Sequence, residues 1–358
     1  MSAEIKKQPP LLGLIWPYEL PLLALIFWGL YQASPEFRGS NAPILWYGVA
    51  VLAGFTMLAL RFPATWRELP NKSFFFPLAG IWVALFLFLG NSTLGYLHSD
   101  SIFYWAFDIY TAPESDVEFA LFMPFVILAI YGLKSPELLA RKPDVWPPAL
   151  GLVAGGLLLH LVGYVIQQPR VSYCGFFVGL FGLTGLAWGK AWLKTSWFPF
   201  FLVVFCIPPA GTDAVAFRMR LLVSWIVEHI AHLGLATDLV RDGTQLTNSD
   251  HTFAYEVAAA CSGIRSLTTL LVLTLIYGFI LFKSPWKRLI MLASAFPLAI
   301  AGNVLRLCFT IVVAEMGGQA AGKAVETKTG FVTFLVALGG VYLLARKLEA
   351  SEPAQTKP

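Results

Sequence analysis

Long apolar runs recur along the whole chain and are separated by short polar stretches. Each run has about 20 residues, the length of a helix that crosses a hydrocarbon layer of about 30 Å. The alternation of apolar and polar positions that marks an outer-membrane barrel strand is missing. The pattern predicts an all-α polytopic membrane protein with about ten transmembrane helices, placed near residues 15–33, 43–60, 73–95, 117–134, 145–166, 173–189, 196–209, 261–282, 288–314 and 330–346.

One segment between these runs has a different pattern. Over residues 211–239, charged and His residues interrupt an apolar sequence at helical spacing, which predicts an amphipathic helix at the membrane surface. Turn residues follow at Asp242-Gly243 and again at residues 248–250, between short mixed runs. These turns predict a small extracytoplasmic hairpin just before the helix that begins near Cys261.

The composition agrees with a membrane location. Hydrophobic residues make up 57% and charged residues 13% of the 358 positions, and the mean hydropathy is +0.69, well outside the usual range of soluble domains. The net charge of +4 is spread over short loops, with no basic run that would predict nucleic-acid binding. The cysteines show neither metal-ligand nor disulfide-framework spacing, so we expect no metal and no cofactor; they are Cys174, Cys206, Cys261 and Cys308.

Lys and Arg concentrate in alternate loops, which predicts the orientation of the chain. The basic loops begin near Lys6, Arg61, Lys134, Lys190, Lys283 and Arg346, and the loops between them are sparse in basic residues or acidic. Because basic loops stay on the cytoplasmic side, both termini are predicted in the cytoplasm and residues 210–260 and 316–329 outside the inner membrane. A crossing within residues 211–239 would reverse this order for the last three helices, which favours a surface helix there.

Cys261 is the first candidate for chemistry, in the stretch FAYEVAAACSGIRSL. It lies at the predicted outer end of a helix, where unpaired N–H groups and the helix dipole favour a thiolate. Arg265, one turn further on, adds positive charge. The pattern fits a nucleophile, and it also fits a buried, inert cysteine beside a glycine that allows close helix packing.

Asn303 and Arg306 form a second candidate, an i, i+3 pair on one face of an apolar helix. A guanidinium in a membrane span needs a partner or a water-filled cavity. Counted from Arg288 at 1.5 Å per residue, Arg306 lies about 27 Å along the helix, at the predicted depth of Cys261. A catalytic role and a structural bridge to a carboxylate both fit this placement.

Two further candidates lie on the predicted extracytoplasmic side. Glu326 belongs to the predicted outer loop before the last helix, where a carboxylate most often caps the helix but can also orient or deprotonate a group. His251 lies ten positions before Cys261 on the same side. Other single His residues are more typical of hydrogen-bonded structural groups.

The stretch ACSGIRSL at residues 260–267, followed by a basic turn and then PLAIAGNVLRL at residues 297–307, resembles the exosortase/archaeosortase family. Members are polytopic membrane enzymes regarded as cysteine transpeptidases. Their substrates are exported proteins that end in a sorting signal of the PEP-CTERM kind: a short motif, a transmembrane helix and a basic tail. The resemblance covers about residues 196–346 with specific motifs and is general before that. It divides the chain into N-terminal helices (1–195), an exosortase-like core (196–346) and a cytoplasmic tail (347–358).

The resemblance implies a role for each candidate. Cys261 matches the family nucleophile and Arg306 the family arginine, with Arg265 and Asn303 in support. The third family residue is usually His, and the matching position here is Glu326. A carboxylate accepts a proton, but its ordinary pKa near 4.3 suits it poorly as an acid unless burial raises that pKa. Glu326 could do the work with a raised pKa, His251 or Lys328 could replace it, or the enzyme could be impaired.

The resemblance implies a cysteine peptidase or transpeptidase that forms a thioester on Cys261 and transfers the exported protein to water or to an acceptor such as a membrane lipid or a glycan. One alternative is a non-catalytic membrane component of exopolysaccharide or envelope assembly, with a structural Cys261. A transporter is a third reading, although the N-terminal half has few intramembrane charges that would form an ion pathway.

Overall fold

The computed structural model describes residues 19–33, 43–61, 69–90, 100–112, 115, 117–235, 239–248, 254–256 and 264–351. Within these ranges lie ten α-helices: α1 (Glu19–Ala33), α2 (Pro43–Arg61), α3 (Lys72–Phe88), α4 (Ile102–Tyr110), α5 (Met123–Leu139), α6 (Ala149–Val165), α7 (Pro169–Phe201), α8 (Thr212–Ile230), α9 (Ile264–Leu281) and α10 (Pro285–Ala350). Short 3₁₀ segments precede α5 (Glu118–Phe122) and follow α7 (Leu202–Cys206), and a π-helical turn follows α8 (Ala231–Leu235). Three strands complete the list: β1 (Leu239–Asp242), β2 (Gln245–Asn248) and β3 (Ala254–Glu256).

The described helices agree with a helical membrane protein. Four segments are long and apolar enough to cross a membrane: Glu118–Leu139, Pro169–Cys206, Ile264–Leu281 and Pro285–Val325. Four shorter apolar helices lie at Glu19–Gln32, Pro43–Met57, Lys72–Phe88 and Ala149–Val165. The predicted count of about ten crossings stays a prediction.

Two of the long helices are hairpins that turn at one glycine. Gly189 in α7 (φ 86°) and Gly318 in α10 (φ 82°) have the left-handed backbone that favours glycine. In α7, the rings of Phe181 and Phe200 lie 4.3 Å apart. In α10, Lys287 Nζ donates to the carbonyl of Leu348 at 2.7 Å. Each helix therefore consists of two antiparallel arms.

The turn at Gly318 corrects the prediction of an outer loop over residues 316–329. The second arm of α10, residues 319–350, is helical from its first residue. The sequence QAAGKAVETK that begins this arm is rich in helix-forming Ala, Lys, Gln and Glu. A single glycine with positive φ is enough to reverse the chain, so no loop is needed.

A second correction concerns the predicted loop between the third and fourth spans, which holds helix α4. Its Ser101 cap accepts a hydrogen bond from the backbone N–H of Tyr104 at 3.3 Å. Most of its apolar side chains are buried, among them Trp105 and Phe107, and they pack with Trp82 and Phe176. The run IFYWAFDIY has too few residues to cross a membrane, but one face of it is apolar enough to join a core.

The described residues pack as two compact units, one within Met1–Pro209 and one within Ala210–Pro358. These units concern packing, and the functional division at residue 195 stays a prediction. In the first unit, α6 and the first arm of α7 approach closely through Gly156, Gly175 and Gly179, because small residues allow two helix backbones to come together. His160 is a structural group there, with its Nδ1 2.6 Å from Ser172 Oγ.

In the second unit, α8 packs one face against the first arm of α10. Val223, Val227 and Ala231 are buried together with Leu307 and Ile311. Strands β1 and β2 form an antiparallel hairpin in which Asp242 pairs with Gln245 across a turn containing Gly243 (φ 61°). The predicted turn at Asp242-Gly243 is thus present, and β3 extends the hairpin to a three-stranded sheet.

Polar contacts within the second unit join the sheet to α8 and to α10. Arg241 Nε donates to Glu228 Oε2 at 2.9 Å and joins β1 to α8. Ser224 Oγ donates to the carbonyl of Gly243 at 3.2 Å. Gln319 Nε2 donates to the carbonyl of Ala254 at 3.1 Å and joins β3 to the turn of α10. The sheet therefore lies at the end of α10 where its two arms meet.

Candidate functional site

A small polar cavity lies where the two arms of α10 meet the beginning of α9. Ser266 and Leu270 line it from α9, Asn303 and Arg306 from the first arm, and Thr333 from the second. Its volume of about 10 Å³ is on the order of the space needed for one water. The remaining wall is made of small or apolar residues: Ala299, Gly302, Gly330, Phe334 and Ala337.

The guanidinium of Arg306 faces Gly330 of the opposite arm. A Cβ placed on Gly330 would lie 3.5 Å from Arg306 Cζ, 3.6 Å from Nη1 and 3.8 Å from Nη2. Nearly equal distances to these three atoms place that point above the guanidinium plane. Gly330 therefore lies opposite the flat side of the guanidinium, whose N–H bonds are directed sideways, in the plane where an arginine donates to oxygen atoms.

Arg306 and Asn303 share this cavity, as their i, i+3 spacing predicts. Asn303 is buried, with 7% of its surface exposed, and both residues belong to an apolar segment. Burying a charge in an apolar membrane segment costs free energy, so such a charge is normally surrounded by groups that interact with it. None of the described residues that line the cavity is a carboxylate.

The cavity includes two hydroxyl groups that the sequence analysis did not single out. Thr333 Oγ1 donates to the carbonyls of Thr329 and Gly330, both at 3.1 Å, which leaves its lone pairs available to a donor. Ser266 comes from the stretch ACSGIRSL, five residues after Cys261. Ser266 could have been found from its place in that motif, whereas Thr333 depends on how the two arms of α10 pair.

The other predicted site residues are described in part or not at all. Cys261 and His251 lie outside the described residues, and so does the side chain of Glu326, whose backbone belongs to the second arm of α10 one turn before Gly330. Helix α9 begins at Ile264, three residues after Cys261. Arg265 is half-buried in the first turn of α9 and does not line the cavity. The catalytic roles of these residues stay predictions.

The arrangement can stabilise negative charge. A guanidinium held in a cavity with few water molecules acts on a nearby anion more strongly than it would in water. Among the described residues, no cluster of three or more His, Cys, Asp or Glu side chains has the arrangement that would hold a metal ion. The chemistry that these residues themselves can support is the binding of a carboxylate or of a developing oxyanion.

The sequence motifs and the matched family agree. The family model for the transmembrane exosortase (Exosortase_EpsH) matches residues 105–343, which is a longer stretch than the specific resemblance over residues 196–346. Neither the curated proteins nor the solved structures include one that matches this chain. The match runs from α4 into the second arm of α10 and includes the motifs around Cys261 and Arg306. The chain belongs to the transmembrane exosortase family.

Proposed function

We propose that the protein is a membrane-embedded cysteine peptidase or transpeptidase that removes the C-terminal sorting signal of exported proteins. The observation that carries the proposal is Arg306, which lines a polar cavity between two apolar helical arms. A charge of this kind in a membrane span marks a functional site by default. Family membership supplies the reaction class.

In the proposed reaction, the thiolate of Cys261 attacks a backbone carbonyl of the substrate. The carbonyl carbon becomes tetrahedral and its oxygen takes the negative charge. When the C–N bond breaks, the amine takes a proton and leaves with the transmembrane tail, and the exported protein remains as a thioester on Cys261. Water or an acceptor nucleophile then attacks the thioester and releases the cysteine.

Arg306 is proposed to bind the oxyanion through its in-plane N–H groups. Gly330 lies opposite the flat side of the guanidinium, and Asn303, Ser266 and Thr333 line the same cavity. A donor that is already oriented needs no reorganisation when charge develops, and a single oriented donor typically contributes about 100- to 1,000-fold to the rate. Asn303, Ser266 and Thr333 are therefore positioning residues in this proposal.

Glu326 is proposed as the group that moves the proton. It is one turn before Gly330 along the second arm, so its place in the chain is close to the residue that packs Arg306. A group in this role accepts a proton at one step of the cycle and gives it to the leaving amine at another. His251 and Lys328 remain the alternative proton carriers.

The substrate's transmembrane helix is proposed to enter sideways from the lipid, with its motif at the extracytoplasmic face of the inner membrane. The basic tail of the substrate would then lie in the cytoplasm, as the positive-inside rule requires. Arg306 lies 12 residues before the turn at Gly318, about 18 Å along the helix. The acceptor is proposed to be water, a membrane lipid or a glycan.

The test compares Cys261→Ala with Cys308→Ala in cells at matched membrane levels. Cys308 lies two residues after Arg306 and is half-buried, so it controls for the loss of a thiol in the same unit. We expect tail-bearing proteins to keep their tails with Cys261→Ala and to be processed normally with Cys308→Ala, as measured by gel mobility and mass spectrometry. Normal processing with Cys261→Ala would refute the proposal and favour a non-catalytic role in envelope assembly.

A further inference from the structure

A large apolar cavity lies in the first unit, among α2, α3, α5 and α7. Its volume is about 400 Å³, within the range of small-molecule sites. Phe55 and Ala79 line it from α2 and α3, Ile127 from α5, and Leu180 and Phe200 from the two arms of α7. The cavity belongs to no part of the proposed reaction.

The walls of this cavity offer few hydrogen-bond donors to a ligand. Thr184 Oγ1 donates to the carbonyl of Phe181 at 2.7 Å and Ser135 Oγ to that of Gly132 at 2.7 Å. Ser196 Oγ donates to the carbonyl of Trp192 at 2.9 Å. These hydroxyl protons are used within their own helices, and the indole N–H of Trp192 is a buried donor of the lining without a hydrogen-bond partner among the described residues. With so few donors among mostly apolar side chains, the wall suits a hydrocarbon chain better than a polar molecule.

The volume of the cavity suits one hydrocarbon chain and is too small for a helix. A transmembrane helix with its side chains is about 10–12 Å across and does not fit into 400 Å³. Aromatic rings wall one end, where Trp188 lies 4.4 Å from Phe75 and 4.5 Å from Trp192 between ring centroids. In a family of transmembrane proteins, the molecules that surround such a cavity are lipids.

Three basic loops meet at that aromatic end. Trp188 Nε1 donates to the carbonyl of Pro70 at 2.6 Å, and Asn71 Nδ2 donates to that of Ala187 at 2.6 Å. The N–H of Asp144 points to the carbonyl of Trp188 at 3.4 Å. These bonds hold the segments before α3, after α5 and at the turn of α7 together.

Two of these segments carry exposed cations at helical spacing from residues that line the cavity. We define the basic rim as Lys72, Arg141 and Lys142, all of which are exposed. Lys72 lies three and four positions before the lining residues Phe75 and Phe76, and Arg141 and Lys142 lie three and four positions after the lining residue Leu138. Asp144 is an exposed acid in this region, and Glu137 is paired with Lys134 at 2.9 Å. The rim is therefore positive overall and complementary to a phosphate group.

We propose that this cavity holds one acyl chain of an anionic phospholipid, with the lipid phosphate at the basic rim. The apolar wall takes the chain, and the cations hold the headgroup at the membrane surface. The bound lipid fills a space that would otherwise be empty among α2, α3, α5 and α7. The proposal does not depend on Cys261 or on the reaction.

The test places the full chain in nanodiscs that contain phosphatidylglycerol with a photoreactive group on its acyl chain, and maps the labelled peptides. We expect labelling of the α5 and α7 peptides that line the cavity. Ala79→Trp should reduce this labelling at least about fivefold, because the new ring takes the space of the chain. Ile81→Trp is the matched control on the same helix, since Ile81 is 68% exposed and does not line the cavity.

Two further sets of variants make the outcome decisive. Ala59→Phe fills the cavity from α2 and serves if Ala79→Trp fails to yield monodisperse protein. Lys72→Gln together with Lys142→Gln should lower the preference for phosphatidylglycerol over phosphatidylcholine by about fivefold for each lysine. Equal labelling by both lipids in the wild type, or cavity labelling that Ala79→Trp and Ala59→Phe leave unchanged, would overturn the proposal. So would labelling by a polyprenyl phosphate probe without labelling by phosphatidylglycerol.

Discussion

The position of Gly330 opposite the Arg306 guanidinium makes a sharp prediction about the site. In Gly330→Ala, the added Cβ lies 3.5 Å from Arg306 Cζ, an ordinary van der Waals separation, so we expect processing close to that of the wild type. Gly330→Val adds two γ carbons about 1.5 Å beyond the Cβ. These carbons extend from a Cβ that is already at contact distance from the guanidinium, so Val leaves the guanidinium less room than Ala does.

We expect the guanidinium to shift by up to about 1 Å in Gly330→Val, and a displacement of this size at a reacting centre can lower the rate about 100-fold. That factor corresponds to about 2.7 kcal/mol of lost transition-state stabilisation. Gly339→Val is the matched control, because Gly339 is on the same arm and a Cβ there meets nothing within 4 Å. The assay is the fraction of a tail-bearing substrate processed over time in membranes with equal amounts of each variant.

Two results would refute this reasoning about Gly330. If Gly330→Val processes substrate at the wild-type rate, the position of the Arg306 guanidinium does not control the reaction. If Gly330→Ala loses as much activity as Gly330→Val, the loss arises from the arm's backbone and not from displacement of the guanidinium. Loss of activity in Gly339→Val as well would show that the second arm tolerates no added side chain.

Two further predictions concern helix packing and the polar cavity. Gly156→Ala should lower the free energy of unfolding by about 1–3 kcal/mol through overpacking, because its Cβ would lie 2.7 Å from backbone atoms of Gly175 and Gly179. Gly155→Ala is the control: a Cβ there meets nothing within 4 Å, so this variant should stabilise the helix by up to about 1 kcal/mol. Thermal unfolding in detergent compares the two, and equal stabilities would contradict the packing argument. Thr333→Val should slow processing about 2- to 10-fold by removing a hydroxyl from the cavity of Arg306. Its control is Thr274→Val, which removes a hydroxyl that also donates to its own helix, at 3.1 Å from the carbonyl of Leu271, outside the cavity; a similar loss in both variants would point to helix stability instead.

Much of the helical pattern could be predicted from hydrophobicity alone. The bounds of α2, Pro43–Arg61, lie within one residue of the predicted run at 43–60, and α9 ends at Leu281 within one residue of the prediction. The turn at Asp242-Gly243 was also predictable, since Gly adopts positive φ without steric cost. These features depend on local sequence, which is why a single chain is sufficient to find them.

The hairpins in α7 and α10 were harder to predict because each turns at one residue. Apolar runs indicate crossings, but they do not indicate how few residues join them. The stretch after Gly318 was interpreted as a loop because it is polar and contains glycine, although its Ala, Lys and Glu residues favour a helix. Helix α4 was missed because its apolar run is too short for a crossing and its burial depends on partners far along the chain.

Some residues of this site can be recognised from the local sequence, and others only from the fold. Arg306 and Asn303 can be recognised from one helix, because polar groups are costly in an apolar run. Gly330 and Thr333 cannot be recognised in this way, since their role depends on the pairing of the two arms. Gly330 and Arg306 both lie 12 residues from Gly318. The turn therefore sets the register, and a residue added between Gly318 and Gly330 would rotate Gly330 by about 100° around its arm. The place of Gly318 in the sequence thus decides which residue of the second arm faces the guanidinium of Arg306.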